Sequence, residues 1–397
     1  MDDRVSSVQG TSSSVRTEHM RLTYTNKAFA HHGVPMAGVP VVLNDDMRIL
    51  EGPQRWLFYV ALDRGRTRSR ETWRSYAEAL YDWLQTCEAN GWAWDEIEEG
   101  HLRAYRNQML YHPSSVTGRA YSPRTVNGRL RRLAMFYNWA FRHELIEQLP
   151  FEYESVRTSI SRDADLLAHV HTSGVSPALD LTIREYRNIP SALSAEDLRR
   201  VRAHLVPRDA LIADWAASTG ARRMEVLSLT PSDIPDSHVL GDAPFVAIPI
   251  VGKGSRRRAL QVPLAIIDRT NRYIGEWRGP LLRRRGVDPT TTSALWIGDE
   301  GKPVTAKTLT KRFALACTKA GVRATFHSLR HTYAIFMLAT LTRRLRHEGD
   351  GHVNAVKTLQ LLLGHASLHT TSTYLSAVRL EPRLLSGSIN DLYQALQ

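Results

Sequence analysis

Thr219-Gly-Ala-Arg222-Arg-Met-Glu225-Val-Leu-Ser-Leu229 reads as a tight turn opening a helix, with an arginine at the turn and an acid three residues on. Upstream, Ser194-Ala-Glu-Asp197 has the form of a capping box with Asp in place of Glu or Gln, so helices are expected from there to about Leu229. Downstream, Phe245-Val-Ala-Ile-Pro-Ile-Val251, a Gly252-Lys-Gly-Ser255 turn and the run Arg257 to Val262 predict a β-hairpin. From Leu264 onward the pattern is mainly helical, apart from the short apolar stretch Ala294-Leu-Trp-Ile297. The C-terminal half is therefore expected to be mainly α with one small β-sheet.

The N-terminal half is helical in pattern. Trp73, Tyr76, Ala77, Leu80, Trp83, Leu84 and Cys87 repeat at three-four spacing, as one buried helix face does, and Asn90-Gly91 stops the run. Another helix is expected from Asp95 to about Tyr111. Ser122-Pro123 supplies an N-cap and a proline at the first helical position. Behind it Val126, Leu130, Leu133, Tyr137, Ala140 and Phe141 form the next apolar stripe, while Arg124, Asn127, Arg129, Arg131 and Arg132 occupy the other faces. The expected organisation is a flexible arm over 1–45, a helical bundle with a basic side over 46–150, a linker over 151–190, and a second domain with a C-terminal tail over 191–397.

At 397 residues, with 43% hydrophobic and 23% charged residues, the chain suits two globular domains. Its longest apolar runs, 56–62 and 243–251, fall short of a bilayer span, and the first twenty residues have no apolar core of a secretory signal. A cytoplasmic protein away from membranes is expected. Cys87 and Cys317 are isolated, which excludes a cysteine-based zinc site and gives no support for a disulfide framework. A net charge of +12 favours a polyanionic partner. Only seven of the 52 basic residues are lysine. Arginine's planar fork suits phosphate, although genomic base composition would produce the same bias.

Two further segments carry chemistry: His327-Ser-Leu-Arg330-His-Thr-Tyr333 at the head of a helix, and Leu362-Leu-Gly-His365 followed nine residues later by Tyr374. With the Arg222 turn and Lys253 at the hairpin tip, these segments, in this order, resemble the tyrosine recombinase (phage integrase) family. The resemblance covers about 191–380 and extends more loosely to the helical domain, which is similar to the family's core-binding domain. It implies that Arg222 and Arg330 clamp the scissile phosphate, Lys253 protonates the leaving 5′ oxygen, and His327 helps handle protons. It further implies that His365 positions the phosphate, Tyr374 is the nucleophile, and Glu225 supports the first arginine. It also implies double-stranded DNA at specific sites as substrate and a homotetramer on two paired sites. No cofactor, metal or membrane is expected, and accessory DNA-binding proteins are left open. Arg124, Asn127, Arg131 and Arg132 are the candidate DNA contacts of the bundle.

The chemistry is consistent with those roles. A phosphodiester repels nucleophiles, and its charge grows as a fifth oxygen arrives; paired guanidiniums neutralise that charge without a metal. A phenol attacks only when a base or nearby cations favour its phenolate. Plainer readings exist for each residue. Arg223 matches Arg222 in composition, but the turn register selects Arg222. Arg256, Arg257 and Arg258 compete with Lys253 as phosphate contacts, yet only a lysine gives up a proton near neutral pH when desolvated. His327 and His331 have a helical spacing that can hold zinc, but no HExxH glutamate accompanies them. Tyr333 is expected in the core. The segment 342–352 is longer than the family's usual connection and is expected as an exposed loop. Competing functions are a type IB topoisomerase and a catalytically silent DNA-binding regulator.

Overall fold

The structure, a computed structural model, describes residues 20–65, 69–114, 118–157, 175–185, 190–237, 244–252, 257–348, 354–365, 370–371 and 374–375. Lys253, the segment 349–353 and the tail beyond 375 lie outside the described residues. The chain divides into two units. The first holds the described residues up to Arg157 together with 175–185, and the second begins at 190. Among the described residues no helix is long and apolar enough to cross a membrane.

The first unit begins with strands β1 (Arg21–Tyr24), β2 (Ala30–His31), β3 (Val34–Pro35) and β4 (Pro40–Leu43), in which β1 pairs antiparallel with β4 and β2 with β3. Residues 20–45 are thus not an arm, as expected, but part of the domain. Val39 and Val42 are fully buried, and the buried amide of Gln54 clips the segment down, accepting from Val42 N at 2.8 Å and donating to Pro40 O at 3.0 Å. Gln54 lies on α1 (Glu51–Phe58).

Three longer helices follow: α2 (Arg70–Asn90), α3 (Glu99–Tyr111) and α4 (Pro123–Arg142). The expected face of α2 is buried, and Gly91 ends that helix in the left-handed region. The start of α3 is four residues later than the Asp95 expected. Ser122 caps α4 through Thr125 N, and its stripe is buried except for Phe141, which lies past the last core contact and is exposed. A polar chain runs through this core: Trp83 Nε1 donates to Tyr137 Oη at 2.8 Å, which in turn donates to Trp94 O at 3.0 Å.

The described parts of the expected linker over 151–190, residues 151–157 and 175–185, are folded onto the first unit. β5 (Tyr153–Arg157) pairs antiparallel with β6 (Val175–Leu179), and Leu179 and Leu181 enter the core of the bundle. The pin is Asn127. Its side chain is buried, accepts from Ile183 N at 3.0 Å, and donates to Ile183 O at 2.8 Å and Glu185 Oε1 at 2.9 Å. Asn127 is therefore occupied in holding the chain and does not lie on the exposed basic face expected for it.

The second unit contains α5 (Ala195–Ala203), capped by Ser194, then α6 (Pro207–Thr219) and α7 (Arg223–Leu227). The hairpin follows as β7 (Phe245–Val251) and β8 (Arg257–Pro263), paired from Phe245↔Pro263 to Val251↔Arg257. Next come α8 (Leu264–Arg272), α9 (Gly279–Arg284), α10 (Ala306–Ala320), α11 (Phe326–Glu348) and α12 (Ala355–Leu363). Residues 342–348 continue α11 rather than opening the expected loop. Leu295, Trp296 and Ile297 are buried, as the apolar stretch required.

α6 is the central helix, buried on nearly every side, and it packs against α11 and β8. It ends at Gly220, whose φ of +65° favours glycine and whose missing Cβ would lie 2.4 Å from the Tyr333 ring and 2.9 Å from Leu363. Three of the four motifs touch at this point. Gly220→Ala is therefore expected to cost about 2–4 kcal/mol, from left-handed strain plus overpacking, measured as a lower urea midpoint at unchanged slope.

Candidate active site

Glu225 organises the arginines. Its carboxylate accepts from the Arg222 backbone N–H at 2.7 Å and from Arg222 Nη1 at 2.9 Å, which fixes the turn and aims the guanidinium together. Oε2, which takes the Arg222 backbone N–H, also takes Arg258 Nη2 at 2.7 Å, while Oε1 takes Arg222 Nη1. Burial pushes the Glu225 carboxyl up, but the Arg222 N–H and the guanidiniums of Arg258 and Arg222 outweigh it and hold the group below its usual range. Arg258 donates with Nη1 to Leu362 O and so ties the hairpin to the end of α12. Gly364, at φ +63°, permits that approach, because a Cβ there would stand 2.5 Å from Arg258 Cδ.

Arg330 is 2% exposed and spans two other motifs, donating with Nη1 to Gly220 O and with Nη2 to Leu363 O at 2.8 Å. Two of its five N–H donors are spent there. Burial and the charges of Arg222 and Arg258 pull its pKa down to about 10. The Arg222 side chain is 30% exposed and is the more open of the two expected clamp arginines. Beside it lies a basic cavity of about 420 Å³, lined among others by Arg222, Arg257, Arg258, Lys357 and His365.

Tyr374 is buried at the edge of this set, and His331 Nδ1 lies 3.0 Å from its Oη. The His365 ring stacks parallel to the phenol, with centroids 6.2 Å apart and planes at 10°, and its Nδ1 is 2.9 Å from Thr371 Oγ1. His327 meets His331 edge to face at 4.6 Å. Among the described residues no group of three or more His, Cys, Asp or Glu side chains could hold a metal ion. Burial raises the phenol pKa, while Arg330 and then Arg222 work against that rise.

The three histidines are held neutral. Burial first, then neighbouring positive charge, lowers His327 below its usual range and lowers His331 and His365 to about 4. A histidine whose folded pKa is depressed stabilises the fold above its unfolded pKa near 6.5 and loses that contribution as pH falls towards 4. Stability is therefore expected to drop between pH 6.5 and 4, measured by urea unfolding. The drop should be shallower in His365→Gln, which removes one of the two groups placed near 4.

The phage integrase family model matches residues 191–379. Along the longer chain, tyrosine recombinase XerD of Ralstonia nicotianae is 27% identical over 340 residues, covering 84% of this chain and 92% of that protein. Tyrosine recombinase XerC 2 of the same organism is 25% identical over 317 residues, covering 77% and 76%. The chain is thus similar along most of its length to tyrosine recombinases, and its residues 191–379 match the phage integrase family. Its members are enzymes that cleave and rejoin DNA strands. Solved structures share the fold. XerH site-specific recombinase in a post-cleavage complex with a palindromic difH substrate matches at TM-score 0.52 and 20% identity, over 85% of this chain and 84% of that one. A lambda integrase dimer bound to a COC′ core site matches at TM-score 0.52 and 14% identity, over 83% and 77%.

Among the expected catalytic residues, Arg222 is held by Glu225, Arg330 bridges Gly220 and Leu363, and His327, Tyr374 and His365 lie in one run of ring contacts that passes through His331, while Lys253 lies outside the described residues. Sequence reasoning set Arg257 and Arg258 aside as plain phosphate contacts and missed Lys357 and the contact made by His331. Lys357 carried a usable signal, being a lysine in an arginine-dominated chain just as Lys253 is. On the bundle, Arg124 and Arg131 are exposed, with Arg131 3.2 Å from Glu185. Arg132 is half-buried, donating to Gly128 O at 2.7 Å with its guanidinium over the Tyr76 ring.

Proposed function

We propose that this recombinase is site-specific and cleaves DNA through a 3′-phosphotyrosyl intermediate on Tyr374. Arg222 and Arg330 neutralise the scissile phosphate, and His365 and His327 hold it and manage protons. Lys253 protonates the leaving 5′ oxygen, and Glu225 keeps Arg222 aimed. The bond energy stays in the tyrosyl ester, so a DNA hydroxyl later displaces the phenol without ATP. The observation that supports this reading most is that Tyr374 is buried with His331, the neighbour of Arg330, 3.0 Å from its Oη and the His365 ring stacked beside it.

Exchange between two duplexes needs four such sites, so the working form is a homotetramer on paired sites in double-stranded DNA. Its biological task is integrating or excising a mobile element, or resolving repeated sites, in the cytoplasm on the nucleoid. On the bundle, Arg124, Arg131 and Arg132 contribute phosphate contacts that give affinity rather than sequence readout.

The test begins with a site selected from random-sequence DNA by the full chain and rebuilt as a nicked suicide duplex. An SDS-resistant protein–DNA adduct is expected in excess EDTA, with strand exchange between two such sites. Nicking that requires a divalent ion and leaves no protein on the strand overturns the mechanism. Relaxation of supercoils without exchange between sites overturns the recombination role.

A further inference from the structure

We propose that His331, which has no assigned role in the reading above, holds the Tyr374 hydroxyl for attack and takes its proton as the phosphorus–oxygen bond forms. The proposal rests on Tyr374 being the nucleophile.

His331 Nδ1 lies 3.0 Å from Tyr374 Oη, within the reach a general base needs. The other nearby histidines are placed differently. His365 presents its ring face to the phenol and has its Nδ1 on Thr371. His327 packs against His331 rather than against Tyr374. The groups around His331 are His327 and Arg330 on α11, with Tyr374 and, behind it, His365 from the C-terminal segment. With its proton on Nε2, His331 offers the Nδ1 lone pair to the phenol. Burial, His327 and Arg330 keep the ring neutral, with a pKa of about 4, so that lone pair is free throughout the neutral range.

So weak a base does not ionise the resting phenol, whose own pKa is raised. Transfer therefore accompanies bond formation, when the oxygen becomes strongly acidic and the phosphate offsets the arginine charges. The step balances. The Oη–P bond forms, the P–O5′ bond breaks, the Oη proton moves to Nδ1, and the departing oxygen takes its proton from the separate acid, Lys253. On rejoining, the 5′ hydroxyl displaces Oη, which recovers its proton from Nδ1.

The test uses single-turnover adduct formation on the selected suicide duplex. Sulfur replaces the 5′-bridging oxygen so that the leaving group needs no proton. His331→Ala is expected to slow adduct formation about 10²-fold. His331→Asn, which keeps an acceptor near the place of Nδ1, should recover part of that loss. In both variants the rate should rise about tenfold per pH unit between about pH 6 and about pH 9, because hydroxide must then take the proton, whereas the wild type stays nearly flat. Gel-shift affinity at the wild-type level verifies that each variant is folded. Either variant cleaving at the wild-type rate, or both slowed with the wild-type pH profile, overturns the proposal. An adduct persisting in Tyr374→Phe overturns the nucleophile reading instead, so the two failures are distinct.

Discussion

Tyr374→Phe is expected to abolish the SDS-resistant adduct while leaving DNA affinity unchanged. The substitution deletes one oxygen and keeps the ring, which packs in a small core with Tyr333, Ala334, Leu338, Leu359 and Leu363. The hydroxyl lost is hydrogen-bonded to His331, so the stability cost should be about 1 kcal/mol, too small to unfold the domain. Without that oxygen there is no covalent route, and no neighbouring side chain substitutes. Tyr333, the nearest alternative by sequence, packs over Gly220 in the interior. A denaturing gel with labelled duplex reads the adduct, and a native gel reads the affinity. An adduct in the Phe variant would move the nucleophile elsewhere.

Arg330→Ala should produce a double loss. Removing one preorganised donor to a developing oxyanion costs roughly 10²–10³ in rate. Arg330 also answers the carbonyls of Gly220 and Leu363, so its removal leaves two buried acceptors unpaired. That should cost about 2–4 kcal/mol, reduced because the buried guanidinium is itself disfavoured by its surroundings. Arg330→Lys keeps a charge but lacks the planar fork that spans both carbonyls, and is expected to fall between the two in stability. The measurements are single-turnover cleavage and urea unfolding of the same preparations. Cleavage by Arg330→Ala at the wild-type rate would remove this residue from the phosphate clamp.

Buried arginine is where sequence reading and structure part most clearly. Arg256, Arg257 and Arg258 are indistinguishable as letters, yet Arg258 has an 8% exposed side chain that joins Glu225 to the end of α12. Nothing local marks it, because its partners lie 33 and 104 residues away. Asn127 teaches the same lesson in reverse. Its place among arginines suggested a polar outer face, whereas its amide binds a segment 56 residues downstream. The N-terminal strands escaped notice because two- and four-residue strands have too few positions to show alternation, and a single glutamine on α1 secures them.

The amino-acid sequence by itself determined the helical bundle, the hairpin and the turn registers. Those depend on periodicity, capping and glycine placement, which act over a few residues. Tertiary structure alone decided which arginine is interior, which histidine meets the phenol, and which segments close onto the first domain. Such choices follow from contacts between residues far apart in the chain, where burial turns an ordinary surface charge into a paired or shifted one, and no local pattern encodes that.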